Sequence, residues 1–189
     1  MRRFRSLALV VVTALVAGCA HRATLLPNAS TPDAMQPALE ATATATETVL
    51  HRFAGGNDGA NPVPVLIDVR GRLYGTTITG GGSAKCPPQT ILAGGCGTVF
   101  EISIESGKFR IVHHFSGGSD GALPYGGLIE SGSKLYGAAT AGGTGCSGPY
   151  STGCGTIFWT SGNAFGAAYA FKGGSDGQAP GTNLTSLNG

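Results

Sequence analysis

The sequence is short of charge and has no basic cluster. Lys+Arg number 12 and Asp+Glu 10 in 189 residues, and charged residues make up only 12% of the chain. Arg2, Arg3 and Arg5 stand ahead of the first apolar run, which leaves 9 basic against 10 acidic residues in the remainder. No Lys/Arg stretch is left to follow a phosphate backbone, so nucleic-acid binding is not expected. Beyond the N-terminal apolar run, no segment shows a helical period. That run, SLALVVVTALVAG, is shorter than the roughly 20 residues a membrane-spanning helix needs. CxxC, HExxH and phosphate-loop motifs are all missing, and with them go the usual signatures of redox pairs, zinc proteases and nucleotide enzymes. No cofactor, metal or catalytic residue is expected.

The N-terminus does carry a signal. MRRFR followed by a short apolar run and small residues has the layout of a secretory leader. Its end, LVAGC, resembles the lipobox of bacterial lipoproteins. That resemblance implies removal of residues 1–18 and acylation of Cys19, which becomes the first residue. Each buried acyl methylene contributes about 0.8 kcal/mol, so several chains anchor a protein stably. Ala20 follows, where an inner-membrane retention signal of that family has Asp. The implied address is the cell envelope, at the outer membrane if the host has one. Residues 19–47 then read as the acylated Cys and a flexible linker. NASTPDAMQPALEATATATET is rich in Ala, Thr and Pro, lacks periodicity, and cannot bury enough surface to offset its ordering entropy.

What is abundant is glycine, with 33 residues, and it recurs in a pattern. FAGGNDGANP at 53–62, FSGGSDGALP at 115–124 and FKGGSDGQAP at 171–180 are three versions of one decapeptide. The repeat is longer than that. Phe53, Asp58, Pro62 and Tyr74 match Phe115, Asp120, Pro124 and Tyr136, each 62 positions on, and CGTVFEIS matches CGTIFWTS. Within a unit, VPVLIDV, RLYGTTI, GTVFEIS and KFRIVHHF are strand candidates separated by Gly, Pro, Asp and Ser turns. Four antiparallel strands in a repeat of this length describe a propeller blade. Apolar residues on both strand faces suit blades packed between neighbours, with the recurring Phe and Tyr as blade-to-blade contacts.

These blocks resemble the GloVer repeat, named for Gloeobacter and Verrucomicrobia. LYGTT, a Gly-rich gap, CGTVFEIS and HHFSGGSDGALP recur in that order over most of residues 48–189. The resemblance implies a secreted or surface-anchored bacterial protein and supplies no catalytic residues. The expected fold is therefore all-β: propeller-like four-stranded antiparallel blades in an incomplete propeller, with about two complete repeats plus partial flanking strands. The β-repeat domain spans 48–189, with blade 1 at about 62–115, blade 2 at about 124–171 and the start of a third unit at 172–189. TETVLHRF and NLTSL are expected as orphan strands of incomplete blades. A ring normally needs about four blades. Two blades leave apolar faces open, so the expected partners are the membrane, through the lipid anchor, and another copy or another repeat protein. A fragment of a longer repeat protein is the other reading of this shortfall.

Each candidate site has a structural counterpart. Cys86 and Cys96 share one Gly-rich loop, and Cys146 and Cys154 share its equivalent. Four cysteines allow three connectivities, and pairing within each loop repeats one local solution in an oxidising compartment. Convergence of the four thiolates on zinc is the rival. Asp58, Asp120 and Asp176 sit in GG[NS]DG, where Asp folds the turn; as carboxylates they are also weak calcium candidates. His51, His113 and His114 are candidate bases, but Tyr169 replaces the first two in the third copy. Glu101 and Glu105 are candidate carboxylates, but Trp159 replaces Glu101 in the second unit. An interaction or structural module is the reading these residues favour. A hydrolase or lyase acting on envelope or extracellular glycans is the alternative.

Overall fold

The computed structural model describes residues 46–82, 86, 94–146, 153–181 and 183–186. Cys19, the leader-like segment and the linker as far as residue 45 lie outside the described residues. From Val49 onward the described residues belong to one compact unit. It is all-β, with two antiparallel sheets and no α-helix among the described residues.

The first sheet contains β1 (Ala60–Pro62), β2 (Ile67–Asp68), β3 (Arg72–Thr79), β4 (Thr98–Ser103) and β5 (Phe109–His114). β1 and β2 pair with opposite ends of the same β3 edge, Pro62 with Thr77 and Ile67 with Tyr74. They are two halves of one interrupted edge strand. The continuous strand expected over VPVLIDV is therefore corrected. Val63 still donates to Thr76 O at 3.0 Å, but Pro64 has no N–H to continue the ladder.

The second sheet repeats the plan with β6 (Ile129–Ser131), β7 (Lys134–Ala139), β8 (Thr156–Ser161) and β9 (Ala164–Ala170). An isolated Ala122–Ala141 bridge stands where Ala60 pairs with Thr79 in the first sheet. Even the irregularity recurs, with a register shift at Val99/Phe100 and again at Ile157/Phe158. Side chains alternate across a strand. Along β4, Phe100 and Ile102 join a cluster with Phe53 on one face. Val99, from the opposite face, joins Phe115, Leu128, Leu135, Ala139 and Phe158 in the cluster that welds the two sheets together. Phe115 and Phe158 are fully buried, edge to face at 5.1 Å. Burial of each such ring contributes about 1.5–3 kcal/mol.

A backbone clasp links successive repeats. Leu123 N–H donates to Cys96 O at 2.9 Å, and Ala179 N–H donates to Cys154 O at 2.8 Å. Asn61, Leu123 and Ala179, each just before a Pro, hold φ of 55°, 57° and 53°. For an L-residue this left-handed backbone costs roughly 1–2 kcal/mol. The clasp offsets that cost at the second and third copies. The same contact therefore joins copy two to copy one and copy three to copy two. The flanks do not form the orphan strands expected of them. Arg52 alone of residues 46–53 lies in a bridge, and none of 183–186 is in a strand. Among the described residues no named strand pairs with either flank, and no ring closes.

Candidate functional site

Each repeated Asp is built into its own turn. Asp58 Oδ2 accepts from Ala54 N at 2.9 Å, Asp120 Oδ2 from Ser116 N at 2.8 Å, and Asp176 Oδ2 from Lys172 N at 2.8 Å. The second partner comes from the preceding strand or strand-like segment: His51 at 3.3 Å, His113 at 3.0 Å and Tyr169 at 2.5 Å. His51 also stacks on Phe109, and His113 on the equivalent Phe165. His113 and Tyr169 bond their Asp through the ring tip, whereas His51 Nε2 approaches Asp58 without a hydrogen bond. The two His rings lie flat on the sheet, and Tyr169 meets Phe171 edge to face instead. His114 is exposed and lies outside this arrangement. Burial would raise the Asp120 pKa, but bonds from His113 and Ser116 outweigh it and hold the carboxyl below its usual range. The glycine after the first and second Asp is sterically constrained as well, whereas Gly177 has only its positive φ of 84°. Gly121 has φ 99°, and a Cβ there would lie 2.4 Å from Thr156 Oγ1. Among the described residues no three His, Cys, Asp or Glu side chains converge as a metal-binding group.

The cysteines form two local pairs, Cys86–Cys96 and Cys146–Cys154, with Cα separations of 5.5 and 5.8 Å. Cys96 and Cys154 are the residues whose carbonyls accept the inter-repeat clasp. Each disulfide therefore fixes the acceptor onto which the next repeat docks.

The opposite rim, where the short hairpin turns lie, carries different chemistry. Glu101 on β4 is 3% exposed and bonds to Arg72 of β3 and Arg110 of β5. Cross-strand register makes the first contact, because Tyr74 faces Glu101 and Arg72 lies next along the same face. Burial pushes the Glu101 pKa up, but bonds from Arg110, Tyr74 and Arg72 prevail and lower it. The same burial, with the bond to Glu101, pushes the Tyr74 phenol up. A carboxylate clamped by two guanidiniums stays ionised near neutrality and makes a poor proton carrier. Arg110 also donates to Asn163 Oδ1 at 2.8 Å, tying the first sheet to the β8–β9 turn.

Beside this cluster, between the sheets, lies a groove of about 320 Å³. Arg70 and Arg72 line one wall, and Glu130, Ser133, Lys134 and Ser161 line the other. Lys134 Nζ sits 3.9 Å above the Trp159 ring, and Trp159 lies over Gly166, where a Cβ would come within 2.9 Å of the indole. Lys134, Trp159 and Gly166 are the repeat equivalents of Arg72, Glu101 and Arg110. An ion triad in one copy is thus a cation over an aromatic face in the next. Arg70 is the further oddity. It holds φ 54° in a turn whose equivalent residue is Gly132, at φ 62°. Among the described residues it makes no hydrogen bond or ion pair to offset the left-handed backbone.

The family model for the Gloeobacter/Verrucomicrobia repeat matches residues 38–189. The chain belongs to this repeat family. No curated protein matches it, and no solved structure does.

Within this Gloeobacter/Verrucomicrobia repeat, the invariant positions are the ones that hold the fold. The Asp turns and the paired cysteines recur in equivalent places and serve the backbone. One position that breaks the repeat, Arg70 for Gly132, lines the groove; two others, Glu101 for Trp159 and Arg110 for Gly166, lie outside the lining, where Glu101 holds the groove cation Arg72 and Trp159 lies under the groove cation Lys134. Sequence reasoning set Glu101 aside because its partner copy has Trp, and it passed over Arg70, Arg72, Glu130 and Lys134. The signal was present in VRGR against SGSK, a basic hairpin turn aligned with a plain one. Glu105 sits exposed in the β4–β5 turn and does not join the cluster.

Proposed function

We propose that the chain is a lipid-anchored, extracytoplasmic interaction module whose sheets stack as propeller-like blades. The supporting observation is the clasp made twice in the same form, from Cys96 O to Leu123 and from Cys154 O to Ala179. Packing that repeats a contact is packing that propagates. The outer face of the second sheet, where Tyr169 is 44% exposed, is then the next docking face for a further blade of the same kind, from another copy or another repeat protein. Two disulfides favour an oxidising compartment outside the cytoplasm, and no helix among the described residues is long and apolar enough to cross a membrane. Anchoring then falls to Cys19. Expression in a diderm host, followed by mass analysis of the N-terminus, tests this. The expected product begins at Cys19, carries acyl chains and partitions into detergent, and Cys19→Ser loses all three properties. A mature N-terminus elsewhere without lipid would overturn the anchor. Sedimentation of the Cys19→Ser chain over a concentration series tests the open face, with concentration-dependent association expected. A monomer at all concentrations would overturn self-docking.

A further inference from the structure

We propose that the groove between the β2–β3 turn and the β6–β7 and β8–β9 turns binds a uronic acid, alone or in a short acidic saccharide. This deepens the interaction-module reading by naming a ligand for it, and it does not depend on the lipid anchor. Several observations converge on this groove. It lies at the junction of two sheets that are locked together by Arg110 and Asn163, so its walls are preset. Its lining combines three cations, Arg70, Arg72 and Lys134, with one carboxylate, Glu130, and with the hydroxyls of Ser133, Thr160 and Ser161.

That mixture has a chemical meaning. Arg72 is held by the buried Glu101, and Lys134 rests on Trp159. Arg70 is the cation left without a partner among the described residues, and its planar fork suits a carboxylate. A compact dianion such as phosphate would press its whole charge on Glu130. A saccharide with one carboxylate per ring would not: the hydroxyls of one ring donate to Glu130 and accept from Ser133 and Lys134, while its acid group meets Arg70. Arg70 is also the residue that breaks the repeat, with a side chain at a left-handed position that the sister turn gives to Gly132. Turn geometry alone favours glycine there, so the guanidinium stays against local preference at the mouth of a basic groove.

The sister turn also supplies the variant. Arg70→Gly relieves the backbone and is expected to fold at least as well as the parent, so lost binding cannot be ascribed to lost structure. The full chain in detergent is titrated by calorimetry with digalacturonate, with the neutral disaccharide lactose and with inorganic phosphate. The expected result is millimolar or tighter binding of digalacturonate, none of lactose, and about tenfold weaker binding by Arg70→Gly, the equivalent of losing one charge-assisted hydrogen bond. Arg70→Lys should keep part of the affinity. No heat with digalacturonate, equal binding of lactose, preference for phosphate, or indifference to Arg70→Gly would each overturn the assignment. A chain that binds digalacturonate but lacks an acylated Cys19 would keep the groove and remove the anchor, so the two proposals fail separately.

Discussion

Replacing Glu101 with Gln keeps the shape of the side chain and removes the negative charge between Arg72 and Arg110. Breaking a fully buried pair costs about 3–5 kcal/mol, whereas an exposed pair is worth about 0.2–1 kcal/mol. Glu101 is 3% exposed, but Arg72 and Arg110 are 53% and 37% exposed, so both guanidiniums recover water when the charge is lost. The expected loss lies between those limits, at about 2 kcal/mol. For a unit of this size that lowers Tm by roughly 5–8 °C. The pH dependence has a definite sign. The folded-state pKa of Glu101 is lowered, so its contribution is complete above the unfolded value of about 4.3 and is lost as pH falls through the folded value. Parent and variant should differ at neutral pH and converge in strong acid. Thermal unfolding followed by circular dichroism across that range is the assay. A second variant, Arg72→Lys with Glu101→Trp and Arg110→Gly, installs the solution of the second sheet and should recover part of the loss. Equal Tm values at neutral pH, or a gap that persists unchanged in acid, would refute the electrostatic account of the triad.

Asp120→Asn should lower stability at neutral pH by about 1 kcal/mol and should flatten the acid limb of the unfolding curve, because a lowered carboxylate pKa gives stability above about 3.9 that disappears on acidification. Gly121→Ala should cost at least about 2 kcal/mol in urea unfolding, since the new Cβ meets Thr156 Oγ1 in a left-handed backbone. Changing both Cys146 and Cys154 to Ser should cost about 2–3 kcal/mol by loop entropy, and hydrogen exchange should show faster exchange at Ala179 N–H, whose acceptor is Cys154 O.

The strands and turns were legible because they obey local rules. A hairpin turn such as Arg70-Gly71 needs residues that accept positive φ, and the pattern of Gly, Asp and Pro marks each one. The repeat made the reading stronger, since Phe53, Phe115 and Phe171 declare one environment three times. Pairing within each Cys loop was also readable, because it needs only short-range closure. Local rules failed at Pro64, where the apolar run VPVLIDV, read as one strand, keeps only Ile67–Asp68 in the sheet. They failed again at both flanks, where a strand-like sequence pairs with no named strand among the described residues.

The sequence by itself determined the repeat, the all-β character, the turn chemistry of Asp58, Asp120 and Asp176, and the pairing of four cysteines within their own loops. Only the tertiary structure decided that Glu101 reaches Arg72, 29 residues away, and that Arg110 reaches Asn163, 53 residues away. Only it set Arg70 opposite Lys134 across a groove. Register along β3, β4 and β5 carries the first contact, and face-to-face packing of two sheets carries the others. Such contacts depend on which sheet face a residue occupies and on what packs against that face. Variation between repeats, read along the chain, looked like tolerance at Glu101 and Trp159. In three dimensions it is substitution of a whole set, ion triad for cation and indole, because a buried charge can be exchanged only together with the partners that compensate it.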